Sequence, residues 1–161
     1  SLTDLDLEDI GRCKALTHLE LCACPKLSDA GLKSIGKLAE RQMKAFEKWE
    51  QQQASSLPPP APPTLTHLDL GGLGRLSDEA LLKLTVRAKR LRTLDLRGCS
   101  RLTDDGLARA CAGCTVDGVQ CAASLAMPQL GTLVLSGMPA AATDVVAEHV
   151  LRARPILRLL R

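Results

Sequence analysis

The sequence has almost no aromatic residues: among 161 residues there is no Tyr, one Phe and one Trp. Hydrophobic residues nevertheless make up 45% of the chain. A chain of this length can bury a sizeable core in one domain, and that core must be built from Leu, Ala and Val. The 21 basic and 18 acidic residues are nearly balanced, with a net charge of +3. Balanced charge without interleaved aromatics argues against a nucleic-acid-binding domain.

Long apolar runs and a secretory signal are also missing. Each apolar run is short and interrupted by charge, so the sequence predicts no membrane-spanning helix. The chain has seven Cys residues, and an odd number of Cys without a signal peptide favours reduced thiols over a disulfide scaffold. We therefore expect an intracellular, reducing compartment such as the cytoplasm.

Sequence signatures of catalysis and cofactor binding are absent. No G-x-S-x-G or H-E-x-x-H motif occurs. The glycines of "LGGLGRLSD" resemble part of a nucleotide-binding turn, but Ser77 occupies the third glycine position and no P-loop Lys follows. Cys111 and Cys114 form a C-x-x-C pair, but the nearest His is the distant His149. We predict a protein with no enzymatic activity, no cofactor and no metal.

Two motifs recur along the chain in a fixed order. The first predicts strands and reads "LTHLEL" from residue 16, "LTHLDL" from 65, "LRTLDL" from 91 and "LGTLVL" from 130. The second predicts helix starts and reads "LSDAGLKSIGK" from 27, "LSDEALLKLTV" from 76, "LTDDGLARACA" from 102 and "ATDVVAEHVLR" from 142. The predicted inward residues are Leu19, Leu21, Leu68, Leu70, Leu94, Leu96, Leu133 and Leu135. The predicted helix caps are Ser28, Ser77, Thr103 and Thr143.

The opening segment "LTDLDLEDIGR", residues 2–12, fits either motif. A strand here would begin only 14 residues before the strand motif at Leu16, whereas usual repeats are about 20–29 residues long. A helix motif here would begin at Leu2, 25 residues before Leu27, which is one repeat length. We therefore predict a helix. At the other end "RPILRLLR" aligns with a strand motif, so Ile156 and Leu159 are predicted in a last, unfinished strand.

Between each strand and its helix lies a turn residue, and these residues are Cys24, Leu73, Cys99 and Met138. The combined pattern L-x-L-x-x-C-x-x-L-[ST]-D resembles the cysteine-containing leucine-rich-repeat subfamily, best known from F-box proteins. The resemblance covers nearly the whole chain, although Leu73 and Met138 depart from it. It implies that residues 1–161 are one α/β domain, a leucine-rich-repeat solenoid with parallel strands on the concave face and helices on the convex face. A partial repeat at each end predicts a fragment of a longer solenoid, open at both ends.

Two insertions lengthen the predicted repeats, at about 38–64 and about 112–129. The first carries Met43, Phe46 and Trp49 at helical spacing, which predicts that its helix continues to about Gln53. A Pro-rich linker then follows in "SSLPPPAPP". The helix either packs back on the solenoid or docks a partner through these three side chains, because aromatic residues dominate binding hot spots. The second insertion is predicted to be a small loop.

Alternate strand residues should face outward on the concave side. One predicted column is Glu20, Asp69, Asp95 and Val134; beside it run His18, His67, Thr93 and Thr132. A further column is Cys22, Gly71, Arg97 and Ser136. The acidic column suggests a site for a basic partner segment; alternatively, its carboxylates are satisfied by solvent and neighbouring strands. The predicted partner-binding residues of this face are His18, Glu20, His67, Asp69, Thr93, Asp95 and Arg97.

A rigid curved array of this kind predicts protein–protein recognition. The resemblance implies two settings. The first is a non-catalytic structural subunit of a large intracellular assembly, such as a ciliary axoneme or an organellar complex. The second is the substrate-recognition region of an F-box-type ubiquitin ligase receptor. The partners are one or more proteins in either setting, either neighbouring subunits or ligase components.

Overall fold

The computed structural model describes residues 2–52, 60–112, 127–138 and 158–160. Several predictions lie outside these residues: the helix start at 142 with its cap Thr143, the strand residue Ile156, the end of the helical extension at Gln53 and most of the second insertion. All statements below concern the described part of the chain.

The chain is an α/β protein whose strands form one parallel sheet. The strands are β1 (His18–Glu20), β2 (His67–Asp69), β3 (Thr93–Asp95), β4 (Thr132–Val134) and β5 (Arg158–Leu160). Each strand pairs with its successor along the chain, so the order in the sheet is the order in the sequence. The four predicted strands are confirmed, and Leu159 lies in the fifth.

The helices also follow one another along the chain. They are α1 (Asp4–Ile10), α2 (Asp29–Gln51), α3 (Asp78–Arg87) and α4 (Asp104–Ala112), and each packs against the next. Helix α1 confirms the prediction made for residues 2–12. Helix α2 runs without interruption through the first part of the insertion, so the predicted extension is confirmed as far as Gln51.

The sheet and helices enclose an aliphatic core. All eight predicted inward leucines are buried, none with more than 9% of its surface exposed. They form one cluster with leucines of the helices, such as Leu32 and Leu81, and with the fully buried Cys99. Burying one such side chain contributes roughly 1.5–3 kcal/mol, so the repeated leucines are the main stabilising feature of the fold.

Hydrogen bonds at the helix starts join neighbouring units. Ser28, Ser77 and Thr103 each accept a bond from a backbone amide of their own helix, as predicted for caps. Each also donates from its own amide and hydroxyl to a carboxylate at the start of the preceding helix. The pairs are Ser28 with Asp4, Ser77 with Asp29 and Thr103 with Asp78, with N···O distances of 2.9, 3.0 and 2.9 Å and an O···O distance of 2.6 Å in each pair.

We call these paired bonds the cap ladder. They require close approach between helices, and Gly106 provides it, because a Cβ there would overlap the carboxylate of Asp78. Burial raises the pKa of Asp4, but the bonds from Ser28 outweigh that effect, and the pKa ends below its usual 3.8. At Asp4 the ladder bonds therefore favour the ionised carboxylate.

One turn position after each of the first four strands adopts a left-handed backbone. Glycine occupies it three times, with φ of 76° at Gly72, 64° at Gly98 and 69° at Gly137. The first unit places Ala23 there, with φ of 54°. An L-residue with a Cβ is disfavoured in this conformation, so Ala23 is a strained position in an otherwise regular series.

None of the helices in the described ranges is long and apolar enough to cross a membrane.

Candidate functional site

The candidate site is the sheet face turned away from the leucine core, which we call the open sheet face. The strand register places its side chains in rows without a shift. One row is His18, His67, Thr93, Thr132 and Arg158; the other is Glu20, Asp69, Asp95, Val134 and Leu160. The structure thus brings the predicted sheet-face residues together. Arg97 lies two residues beyond Asp95 and contacts it beside the second row.

The acidic row is partly neutralised from within the protein. Arg97 contacts the carboxylate of Asp95 and lies 3.6 Å from that of Asp69. The carboxylates also accept backbone bonds, from the amide of Gly71 to Asp69 at 2.8 Å and from the amide of Arg97 to Asp95 at 2.9 Å. Only 5% of Asp95 is exposed. These contacts favour the reading in which the carboxylates of Asp69 and Asp95 are satisfied by neighbouring groups, and Glu20 is the exposed carboxylate of the row. Partner binding by these residues stays a prediction.

This network also affects Arg97. The hydrogen bond and charge of Asp95, together with the charge of Asp69, raise the pKa of the Arg97 guanidinium. Arg97 nevertheless keeps 58% of its side chain exposed. Because it is fixed by two carboxylates, it belongs to a positioned group with a net charge of −1 and is not a free cation.

The two histidines form a stacked pair at one end of the open sheet face. The ring centres of His18 and His67 are 4.0 Å apart, and the ring planes differ by 10°. The hydroxyl of Thr17 lies 2.9 Å from Nδ1 of His18, and that of Thr66 lies 2.8 Å from Nδ1 of His67. With Nδ1 of both rings engaged, Nε2 is left for an incoming group.

The surroundings of the stack also affect the pKa of His67. Burial lowers the pKa of His67, and the nearby charges of His18 and Arg92 lower it further. The two stacked rings present a flat, amphipathic surface. No group of three or more His, Cys, Asp or Glu within the described ranges has a geometry that would hold a metal ion. The role of the pair as a partner contact stays a prediction.

The predicted docking residues of α2 differ in accessibility. Phe46 keeps only 7% of its surface exposed. Its ring contacts that of Trp49, with 5.2 Å between ring centres, and the Arg90 guanidinium lies 4.1 Å from the centre of the Phe46 ring. The prediction that Phe46 docks a partner is therefore wrong in this conformation. Met43 and Trp49 are half-buried, and their role as partner contacts stays a prediction.

Gln42 is a residue whose role sequence reasoning missed. It is 5% exposed on α2, and its Nε2 donates to the carbonyl oxygen of Leu16 at 2.8 Å and to that of Lys14 at 3.3 Å. Its Oε1 accepts from the buried amide of Leu65 at 2.7 Å. The side chain thereby joins the segments leading into β1 and β2, on either side of the insertion. The sequence did carry one signal of this role: Gln42 is a polar residue within the apolar stripe of the helix, four residues before Phe46.

A search against models of known protein families finds no match for this chain.

Proposed function

We propose that this chain is part of a cysteine-containing leucine-rich-repeat solenoid that recognises other proteins. Support comes from the agreement between the repeat in the sequence and the elements in space, because successive strands lie side by side and so do the successive helices α1 to α4. The cysteine position also fits: Cys99 is fully buried and its Sγ lies 3.2 Å from the carbonyl oxygen of Leu70. A thiol in this place fills the inner turn, as the subfamily pattern implies.

The observation that carries the proposed function is the register of the open sheet face. Five short strands hold two rows of side chains in line, with neighbouring strands about 4.8 Å apart. Such a surface matches an extended area of another protein. We therefore place the binding function on His18, Glu20, His67, Thr93 and their row neighbours.

The charges on the open sheet face constrain the partner. Arg97 offsets one of the two negative charges of Asp69 and Asp95, so these three side chains together keep a net charge of −1. The neighbouring positions Thr93 and Thr132 offer uncharged hydroxyls, and Val134 continues the row as an apolar residue. A partner of mixed polar and apolar character that carries some positive charge fits this surface.

Within this function we assign the chain to a non-catalytic scaffold in a large intracellular assembly, such as a ciliary axoneme or an organellar complex. Helix α2 extends well beyond the length of α3 and offers Met43 and Trp49 as a surface separate from the sheet. A subunit with several neighbours needs more than one contact surface. The substrate-recognition region of an F-box-type ubiquitin ligase receptor is the alternative, and the buried Cys99 at the subfamily position supports both settings equally.

A native pull-down of the full-length protein, followed by mass spectrometry, tests the proposal. The test variant is Glu20→Lys/Thr93→Arg on the open sheet face, and the matched control is Glu79→Lys/Val86→Arg on the outer surface of α3. Both pairs introduce the same charges, and thermal melting verifies that both proteins fold. We expect the sheet-face variant to lose its partners and the control to keep them.

The proteins recovered decide between the two settings. A stoichiometric set of structural proteins supports the scaffold, whereas cullin-complex components support the ligase receptor. If the folded sheet-face variant keeps every partner of the control, the open sheet face is not the recognition surface, and the proposed function is wrong.

A further inference from the structure

A second surface of the protein lies on the flank of α2, away from the open sheet face. It is a cavity of about 440 Å³ between the turn that follows α1, the middle of α2 and the segment at Pro62 and Pro63. We call it the flank groove. Its size falls within the range of about 300–1,000 Å³ that is typical of binding pockets.

The flank groove exists because neighbouring helices differ in length. Helix α1 ends at Ile10 after 7 residues, whereas α2 continues for 23 residues. Beyond the last turn of α1, the side of α2 that carries Leu38 and Ala45 therefore has no helix beside it. The turn residues and the two prolines form the walls instead. The insertion thus creates a feature that a repeat of ordinary length would not have.

The floor of the flank groove is apolar. Ala15, Leu38 and Ala45 contribute to it together with the two prolines. Gln42 also lines it, but both ends of its amide are bonded to backbone groups of the protein. Its polar atoms are satisfied, so it places no unpaired donor or acceptor in the groove. An apolar side chain of a ligand would lose water here without burying an unsatisfied polar group.

The rim of the flank groove is basic. Arg12, Lys14 and Arg41 line it, and none of the lining residues is acidic. A smaller cavity of about 230 Å³ shares Arg12 and Arg41 and adds Lys37 and the acidic Glu8, so its three cations exceed its one carboxylate. The ion pair of Arg12 with Asp9 is highly exposed and weak, and Lys14 makes no ion pair with the described residues. Positive charge is therefore available around an apolar floor.

We infer that the flank groove binds an acidic peptide segment of a partner protein, with a large apolar side chain of that segment seated on the floor. The basic rim selects Asp and Glu beside the anchor, and the apolar floor selects Leu, Ile, Met or Phe as the anchor. The charge complementarity with the rim is what distinguishes this ligand from a basic or neutral peptide. This site is separate from the open sheet face, so it does not depend on the function proposed above.

A peptide array tests the ligand class with the full 161-residue chain. The hexapeptides carry every combination of residues at the two central positions, flanked either by Asp and Glu or by Lys and Arg. We expect binding by acidic peptides with a large apolar central residue, and weaker binding at higher salt. If the basic set binds as well as the acidic set, or if no acidic peptide binds more tightly than millimolar, the inference is overturned.

Variants then locate the site, using fluorescence polarisation with the best acidic peptide. Lys14→Glu reverses one rim charge, and we expect it to weaken binding by about three- to tenfold. Ala45→Gln fills the groove at an exposed helix position without changing the charge, and it should also weaken binding. Lys26→Glu, at another exposed position, is the matched control and should leave binding unchanged.

The same assay separates this inference from the proposed function. If Lys14→Glu and Ala45→Gln bind the peptide like the wild type, the groove is not the site. If Glu20→Lys/Thr93→Arg abolishes peptide binding while the groove variants retain it, the peptide binds the open sheet face, and the inference is overturned although sheet-face recognition stands.

Discussion

Gln42 makes a strong and specific prediction about what holds the insertion in place. Its side chain is almost fully buried and bonds to Leu16 and Leu65, one on each side of the insertion. Gln42→Leu keeps the volume and apolar contact of the side chain but removes these bonds. The buried amide of Leu65 is then left without its partner, which costs about 1–3 kcal/mol, and the lost bond to Leu16 adds about 1 kcal/mol. We expect a total loss of about 2–4 kcal/mol in the free energy of unfolding.

A second substitution at the same position distinguishes hydrogen bonding from packing. Gln42→Glu retains an oxygen for the Leu65 amide, but its other oxygen faces the carbonyl of Leu16. The charged form is disfavoured there, so the folded-state pKa of the new carboxyl is raised above its usual value of about 4.3. A group with a raised folded pKa destabilises the protein as the pH rises through that pKa. The variant should therefore approach wild-type stability at acidic pH, where its proton restores the donor.

The assay is urea unfolding followed by the fluorescence of Trp49, the single Trp of the chain. Gln51→Leu and Gln51→Glu are the matched controls, because Gln51 is exposed on the same helix. They should change stability by no more than about 0.5 kcal/mol. Hydrogen exchange at the Leu65 amide provides a local measurement and should accelerate in Gln42→Leu. If Gln42→Leu unfolds like its Gln51 control and the Leu65 amide stays protected, Gln42 does not hold the two segments together.

Three further results are expected. Ala23→Gly should stabilise the protein and Gly98→Ala should destabilise it, each by about 1 kcal/mol in chemical unfolding, because a left-handed backbone costs alanine more free energy than glycine. Effects of the same sign in the two variants would contradict this. Burial raises the pKa of Cys99 to about 11, so at about pH 8 iodoacetamide should label the exposed Cys22 and leave native Cys99 unmodified, as mass spectrometry would reveal. The folded pKa of Asp4 is lowered, so its contribution is present above the unfolded value of 3.8 and is lost as the pH falls through the folded value. The stability difference between the wild type and Asp4→Asn should accordingly shrink in acid, and a constant difference down to about pH 2 would exclude the ladder bond as its cause.

The repeat was sufficient to predict most elements of the fold. Spacing alone identified residues 2–12 as a helix, although Leu2, Leu5 and Leu7 also fit a strand motif. In the structure Leu7 is fully buried and Leu5 is 73% exposed, as one face of α1 packs inward. Periodic sequence predicts such features because each unit repeats the same local contacts with its neighbours.

Interactions between side chains of different units were harder to predict. Asp29 and Asp78 lie at the start of their own helices, and nothing in the local sequence indicates that each accepts bonds from the next unit. The sequence also left open whether Asp69 and Asp95 bind a partner or are satisfied within the protein. Arg97 is two residues beyond Asp95 but reaches Asp69 only because the strands are paired.

The sequence by itself determined the number and order of the described strands, the inward leucines and the helix caps. These depend on residues close together in the chain and on a pattern that each unit repeats. The tertiary structure alone decided which polar groups remain available: it buried Phe46 beneath Arg90, joined Gln42 to two distant backbone segments and compensated the acidic row with Arg97. Exposure and charge at a site depend on contacts between side chains of different units, and the spacing of residues along the chain does not specify those contacts.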